Sequence, residues 1–226
     1  MSVQHSFLFA DLSGFTAMTE VHGDEEAADL AEDFADAVRL LLEEHGAEEV
    51  KRIGDAVMIR CGNAAQALEL GVRIAREVGE RHGSPTVRVG INTGPATERK
   101  GDWFGSTVNV AARVAGAAAG GEILLTESTR DAAGPLSSIE LLARGRRKLK
   151  NVSEPVQLYA ATAEGKASSN GLPVDPVCRM AVDRAHSAGS LRYKDTIYFF
   201  CSLECADAFA GDPTRYTEDL DRPDAR

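Results

Sequence analysis

Two aspartates stand where a carboxylate needs a reason. Asp11 closes the apolar run Phe7-Leu-Phe-Ala10 and precedes Leu12-Ser-Gly-Phe15. A charge in such a run is costly unless it is paired or liganded. Asp55 follows Gly54 between two short apolar runs at 49–53 and 56–61, which is the pattern of a hairpin turn. Two carboxylates at one end of a sheet can hold two divalent ions about 3.5–4 Å apart, the spacing used in phosphoryl chemistry. The plainer reading, a turn residue and a strand-end carboxylate, stands equal to it on these two positions alone. A second group is Cys178, Cys201 and Cys205, gathered near the C-terminal end, with Cys61 far from them. In a cytosolic chain such a cluster points to metal or redox chemistry rather than to structural disulfides.

The elements that must position these residues follow from periodicity. Residues 6–11 form a buried strand. Residues 24–45 form a helix, with Ala27, Leu30, Ala31, Phe34, Val38, Leu41 and Leu42 at helical spacing, Asp24 as cap and Gly46 as stop. A hairpin follows, and Asn63 caps a second helix reaching to about residue 82. Residues 86–92 alternate as a strand, 104–118 form a third helix entered through Gly105, and 122–125 form a strand. Thr126 starts a short helix, and runs at 139–142, 148–150 and 156–159 finish the domain as strands. The early order, β-α-β-β-α-β, is the ferredoxin-like arrangement, an α+β fold. In it the first strand lies antiparallel beside the strand returning from the hairpin, so Asp11 and Asp55 reach the same end of the sheet.

The chain has 226 residues, 43% of them apolar and 27% charged, so there is material for a real core. A net charge of −10 repels nucleic acid and anionic lipid, so neither is an expected partner, and an anionic substrate needs local cations. No apolar run reaches the length of a membrane span, and residues 1–4 lack the blocks of a signal peptide; a cytoplasmic location is expected. The small polar string Ala163-Glu-Gly-Lys-Ala-Ser-Ser-Asn-Gly171 reads as a linker. This sets the expected domains at 1–163, a linker at 164–172, a second domain at 173–218 and a tail at 219–226. So short a second domain needs a supplement to its core, and a metal is the usual one.

Four motifs, in order, resemble the class III adenylyl/guanylyl cyclase family: Phe9-Ala-Asp-Leu-Ser-Gly-Phe-Thr16, Lys51-Arg-Ile-Gly-Asp55, Val89-Gly-Ile-Asn-Thr-Gly94 and Asp102-Trp-Phe-Gly-Ser-Thr-Val-Asn-Val-Ala-Ala-Arg113. The resemblance covers about residues 5–162. It implies that Asp11 and Asp55 bind two Mg²⁺ or Mn²⁺ ions, that Lys51 and Asp102 read the purine, and that Asn109 and Arg113 serve the transition state. Lys150 aligns with a phosphate-contacting lysine, with Lys148 as its rival in Arg144-Gly-Arg-Arg-Lys-Leu-Lys150. Adenine offers an acceptor at N1 and a donor at its amine, which suits a lysine and an aspartate. A guanylyl cyclase would be expected to carry residues such as Glu and Cys there, so the pair implies ATP as substrate. Asn109 and Arg113, four apart, lie on one helix face; without the family they read as the polar side of a core stripe. The family also implies a homodimer whose sites are shared between protomers. Two departures stand out: residues 95–101 are shorter than in many relatives, and Ala56 replaces a common glycine.

Asp175-Pro-Val-Cys-Arg-Met180, Tyr193-Lys-Asp-Thr-Ile-Tyr-Phe-Phe-Cys-Ser-Leu-Glu-Cys205 and Phe209-Ala-Gly-Asp-Pro213 resemble the YHS domain, a small α+β family associated with metal binding. Cys201 is expected to end a strand, with Ser202 capping a helix and Cys205 in its first turn, where a thiolate is favoured. Cys178 completes a three-sulfur set suited to Zn²⁺ or Cu(I). A closed zinc site needs four ligands, and His186 is a weak candidate for the fourth, since it lies in a polar stretch. Inert buried cysteines and a Cys201–Cys205 redox pair are the alternatives, and Cys61 reads as core. An adenylyl cyclase is thus the leading expectation; a silent nucleotide-binding dimer and a metal-handling protein acting through its C-terminal domain are the others.

Overall fold

The computed structural model describes residues 3–80, 83–163 and 172–217. Its frame is a seven-stranded mixed sheet in the order β2-β3-β1-β4-β7-β9-β8. The strands are β1 (Gln4–Leu12), β2 (Ala47–Ile53), β3 (Ala56–Cys61), β4 (Val87–Pro95), β7 (Ile123–Thr126), β8 (Ile139–Arg147) and β9 (Val156–Ala163). β1 is antiparallel to both β3 and β4, and β4 runs parallel to β7. The first four strands reproduce the ferredoxin-like order, and Asp11 pairs in register with Ala56, the residue after Asp55.

Alternation along β1 sorts the two faces. Leu8, Ala10 and Leu12 turn to a large core with helices α2 (Asp24–Leu42) and α3 (Ala64–Arg73). Phe7 and Phe9 turn to the opposite face, where they meet Val108, Ala111 and Ala115 of α4 (Ser106–Ala117). Asn63 accepts hydrogen bonds from the Ala65 and Gln66 amides and so caps α3, as expected. α3 ends at Arg73 in a π-helical turn, Ile74–Val78; the expected helix end at residue 82 lies outside the described residues. The linker expected at 164–172 and the tail at 219–226 also fall outside, apart from residue 172.

Three local expectations are corrected. Residues 148–150 form no strand; they begin the loop between β8 and β9, which turns at Asn151 with φ 61°. The alternation Lys-Leu-Lys arises because Leu149 alone is buried there. Phe104 does not open the third helix but ends a small hairpin, β5 (Thr97–Arg99) with β6 (Asp102–Phe104). A further short helix, α1 (Phe15–His22), precedes α2 and is bounded by Gly14 and Gly23, both at positive φ.

The C-terminal part holds a two-stranded sheet, β10 (Gly189–Tyr193) and β11 (Thr196–Phe200), and helices α6 (Leu203–Gly211) and α7 (Pro213–Thr217); α5 (Glu127–Ala133) precedes them in the main domain. Phe200 and Phe209 are fully buried, but not among their own neighbours alone: Met18 of α1 and Ala27 of α2 share their cluster. Arg179–Ala181 also pairs with the chain entering β4, through the Thr86 amide to the Arg179 carbonyl (3.1 Å) and the Ala181 amide to the Ser84 carbonyl (2.9 Å). The small domain therefore borrows core from the large one, which is how so short a segment buries its aromatics. No helix among the described residues is long and apolar enough to cross a membrane.

Candidate active site and cysteine centre

The end of β1 and the β2–β3 turn bring Asp11 and Asp55 together. Burial, and then the hydrogen bond and charge of Asp11, push the Asp55 carboxyl up to about 7. Arg88, opposite Asp11 on β4, offers Nε to Asp11 Oδ2 at 2.7 Å and closes an ion pair through its second nitrogen. The sequence reading missed Arg88. The available signal was a cation inside the alternating strand at 86–92, in register with Asp11.

Asp55 also makes stability pH-dependent. Its folded pKa lies above its ordinary value of 3.8. Between the two, the folded chain binds a proton that the unfolded chain has released, so stability falls as pH rises through that window. Without divalent ions, thermal denaturation should show a higher midpoint near pH 5.5 than near pH 8. Asp55→Asn should shrink that difference; an equal difference in both proteins contradicts the assignment.

Lys51 on β2 and Asp102 on β6 meet directly, with Nζ donating to Oδ2 at 2.6 Å. That hydrogen bond is the main reason the Asp102 carboxyl sits below the usual range. Its other oxygen accepts the Trp103 amide at 2.8 Å, and Lys51 lies over the Phe104 ring at 5.8 Å. Trp103 anchors this hairpin to the sheet, packing on Phe7 with ring centroids 5.7 Å apart, while Arg60 covers its ring. The short 95–101 segment is thus a folded arm that delivers Asp102.

Asn109 and Arg113 lie on the exposed side of α4, whose buried side is Val108, Ala111, Val114 and Ala115. Two features of β4 fix that helix. At Gly90 an added Cβ would stand 2.0 Å from the Ala115 amide, so only glycine allows this approach. Asn92 donates to the Thr107 carbonyl (2.9 Å) and accepts from Thr126 (2.7 Å), pinning the first turn of α4. Among the described residues, no hydrogen bond or ion pair joins Asn109, Arg113 or Lys150 to the aspartates of the same chain. Lys150 and Lys148 are both exposed and line one groove with Asn151 and Ser153.

Cys178, Cys201 and Cys205 do come together, with Cys201 3.3 Å from Cys178 and 3.7 Å from Cys205 between sulfurs. Ser202 caps α6 through the Cys205 amide, as expected. Hydrogen bonds from the Cys178 and Cys201 thiols pull the Cys205 thiol strongly down. The buried Asp175 carboxylate ties both cysteine loops, accepting the amides of Val177 (2.8 Å), Cys178 (3.4 Å) and Cys201 (2.9 Å). His186 is not part of the centre; it is exposed and pairs with Asp183. The imidazole present is His22, from the last residue of α1, with Nε2 3.7 Å from Cys201 and 3.6 Å from Cys205. Sequence spacing gave no sign of it. Cys61 is buried core, with its thiol pushed up to about 12 by burial.

Fold and site together define a class: a two-faced ferredoxin-like sheet with a carboxylate pair at the end of β1 and a Lys–Asp pair delivered by a hairpin. Comparison with known proteins agrees. The family model "Adenylate and Guanylate cyclase catalytic domain" matches residues 3–162, and the chain belongs to that family. The YHS domain model matches residues 174–219. A pH-sensitive adenylate cyclase of Mycobacterium tuberculosis is 35% identical over 171 residues, covering 74% of this chain and 43% of the relative. An adenylate cyclase of Streptomyces griseus is 39% identical over 106 residues, 47% of this chain and 27% of the relative. The chain thus spans less than half of these relatives. Among solved structures, the adenylyl cyclase CyaB from P. aeruginosa superposes with a TM-score of 0.60 at 24% identity, covering 75% of this chain and 96% of the other. A Trypanosoma brucei adenylate cyclase gives 0.66 at 21%, covering 80% and 94%. These last two likenesses concern the fold.

Proposed function

We propose that this chain is an adenylyl cyclase that converts ATP into 3′,5′-cyclic AMP and pyrophosphate at sites shared between two copies. The observation that carries the reading is the joint placement of Asp11 against Asp55 and of Lys51 against Asp102 on one family framework. The first pair offers only carboxylate oxygens, which fit hard ions such as Mg²⁺ or Mn²⁺. Two such ions held by Asp11 and Asp55 would acidify the ribose 3′-hydroxyl and neutralise the polyphosphate. The chain's own residues do the rest. Asp55 must give up its proton to serve as a ligand, and Arg88 holds Asp11 through Oδ2 alone. Lys51 donates to adenine N1 and Asp102 accepts from the exocyclic amine. Asn109 orients the ribose, and Arg113 neutralises charge on the reacting phosphate. Lys150, beside Lys148, binds the phosphate chain. The 3′-oxygen attacks the α-phosphorus in line and pyrophosphate leaves, so positioning and charge dominate. In the C-terminal domain the three cysteines suit a soft ion, Zn²⁺ or Cu(I).

Surface exposure supports the shared-site part of this reading: Asn109 and Arg113 face outward, and Ile53 (52% exposed) and Phe104 (51% exposed) leave apolar surface on the strand and hairpin that carry Lys51 and Asp102. The test is complementation. Asp55→Ala and Asn109→Ala proteins, each inactive alone, are mixed under conditions that let subunits exchange. Random pairing gives half heterodimers with one intact site each, so activity should return to about a quarter of wild type. No recovery from verified heterodimers contradicts shared sites.

A further inference from the structure

We propose that His22, Cys178, Cys201 and Cys205 form one tetrahedral, zinc-class site that clamps the C-terminal domain onto helix α1 of the cyclase domain. The fourth ligand thus comes from the other domain. The ligand atoms of the four residues all lie within 4.8 Å of one another. In a tetrahedron around zinc, bonds of about 2.3 Å to sulfur and 2.0–2.1 Å to nitrogen give edges of ~3.8 Å between sulfurs and ~3.6 Å from sulfur to nitrogen. Four of the six edges are 3.7 and 3.3 Å between sulfurs and 3.7 and 3.6 Å to the imidazole. Three sulfurs and one imidazole, two of the residues buried and two partly buried, make a closed structural set. A disulfide between any two of these cysteines leaves the placement of His22 unexplained.

The surroundings fit the same purpose. His22 Nδ1 lies 3.4 Å from Glu26 Oε1 at the start of α2, the carboxylate support that orients a ligating histidine. A groove lined by Glu26, Asp29, Asp33 and Glu204 leads to Cys201, an acidic entry path for a cation. The anchor points are shared too. Met18, one turn before His22, is fully buried with Phe200 and Phe209. Gly14, which opens α1, packs so closely on Arg179 that a Cβ there would meet its Cγ at 2.5 Å. Only Leu12 and Ser13 separate that contact from Asp11, so the clamp holds the segment that leaves the carboxylate pair. The inference rests on the two-domain fold and does not depend on the cyclase reading.

The 226-residue chain, stripped of metal and titrated with Zn²⁺ against a chromogenic chelator, should bind one equivalent tightly. Losing an outer-shell partner costs about 10–100-fold in affinity, so loss of a direct ligand in His22→Ala should weaken binding by more than ~100-fold. His22→Cys should restore it, which separates a ligand role from a folding defect. With Co²⁺ as probe, wild type should show intense tetrahedral ligand-field bands that shift towards a four-sulfur spectrum in His22→Cys. Zn²⁺ should slow amide exchange across residues 15–22 in wild type but not in His22→Ala. Unchanged affinity in His22→Ala, a cobalt spectrum indifferent to His22→Cys, or exchange in α1 insensitive to Zn²⁺ would each overturn the clamp.

Discussion

Asp55→Ala should lower kcat for cyclic AMP formation by about 10³-fold or more while leaving the fold intact. An ion at a reacting phosphate supplies several kcal/mol of charge stabilisation, and each 1.36 kcal/mol is tenfold in rate. Asp55 lies in a two-residue turn with Gly54, whose positive φ forms the bend. Its side chain is half-buried beside Asp11 and is pushed towards neutrality there. Removing it relieves a crowded carboxylate pair, so the variant should fold at least as stably as wild type without divalent ions. That combination, lost activity with undiminished stability, distinguishes a ligand from a structural residue. Steady-state rates with Mn²⁺ beside thermal denaturation measure both. Activity within tenfold of wild type contradicts the role given to Asp55.

Exchange of the purine pair should change the substrate. A site built to hydrogen-bond one base rejects the mismatched one by up to about 10⁴–10⁵, because its buried polar groups are left unpaired. Lys51 donates to Asp102 at 2.6 Å, and the spare ammonium hydrogens and carboxylate lone pairs are left to meet an adenine edge. Guanine presents the reverse pattern, with a donor at N1 and an acceptor at O6. In Lys51→Glu/Asp102→Cys, kcat/KM for ATP should fall by about 100-fold or more and the ATP-to-GTP ratio should invert. The single change Lys51→Ala should lose ATP turnover without gaining GTP. Competition between the two nucleotides in one reaction measures the ratio. An unaltered preference in the double variant places purine reading elsewhere.

The residues that sequence reading found are those whose neighbours in the chain are also their neighbours in function. Asp11 ends its own strand and Asp55 fills its own turn, so the ferredoxin-like order was enough to place them at one end of the sheet. Lys51 and Asp102, 51 positions apart, came from matching motifs, and their contact is visible only in the fold. Arg88 was missed because one cation in an alternating strand is ordinary; its meaning lies in being opposite Asp11. His22 was missed for a stronger reason. Its partners lie as far as 183 positions away, across a domain boundary, so no ligand spacing could reveal it. His186, the weak candidate for the fourth ligand, is exposed and pairs with Asp183 instead. The helix α1 that carries His22 has only eight residues, too few for periodicity to separate it from the loop after Asp11.

The segment from Asp11 to His22 runs from the end of β1, through the turn at Ser13 and Gly14, along α1 to the cysteine centre.

The most direct measurement is the identity of the product made by purified protein from ATP and from GTP with Mn²⁺, beside Asp55→Ala. The expected result is cyclic AMP from ATP, little cyclic GMP from GTP, and neither from the variant. Folded dimer that yields no cyclic nucleotide with Mn²⁺ or Mg²⁺ would contradict the cyclase reading, leaving a nucleotide-binding scaffold whose chemistry resides in the cysteine centre.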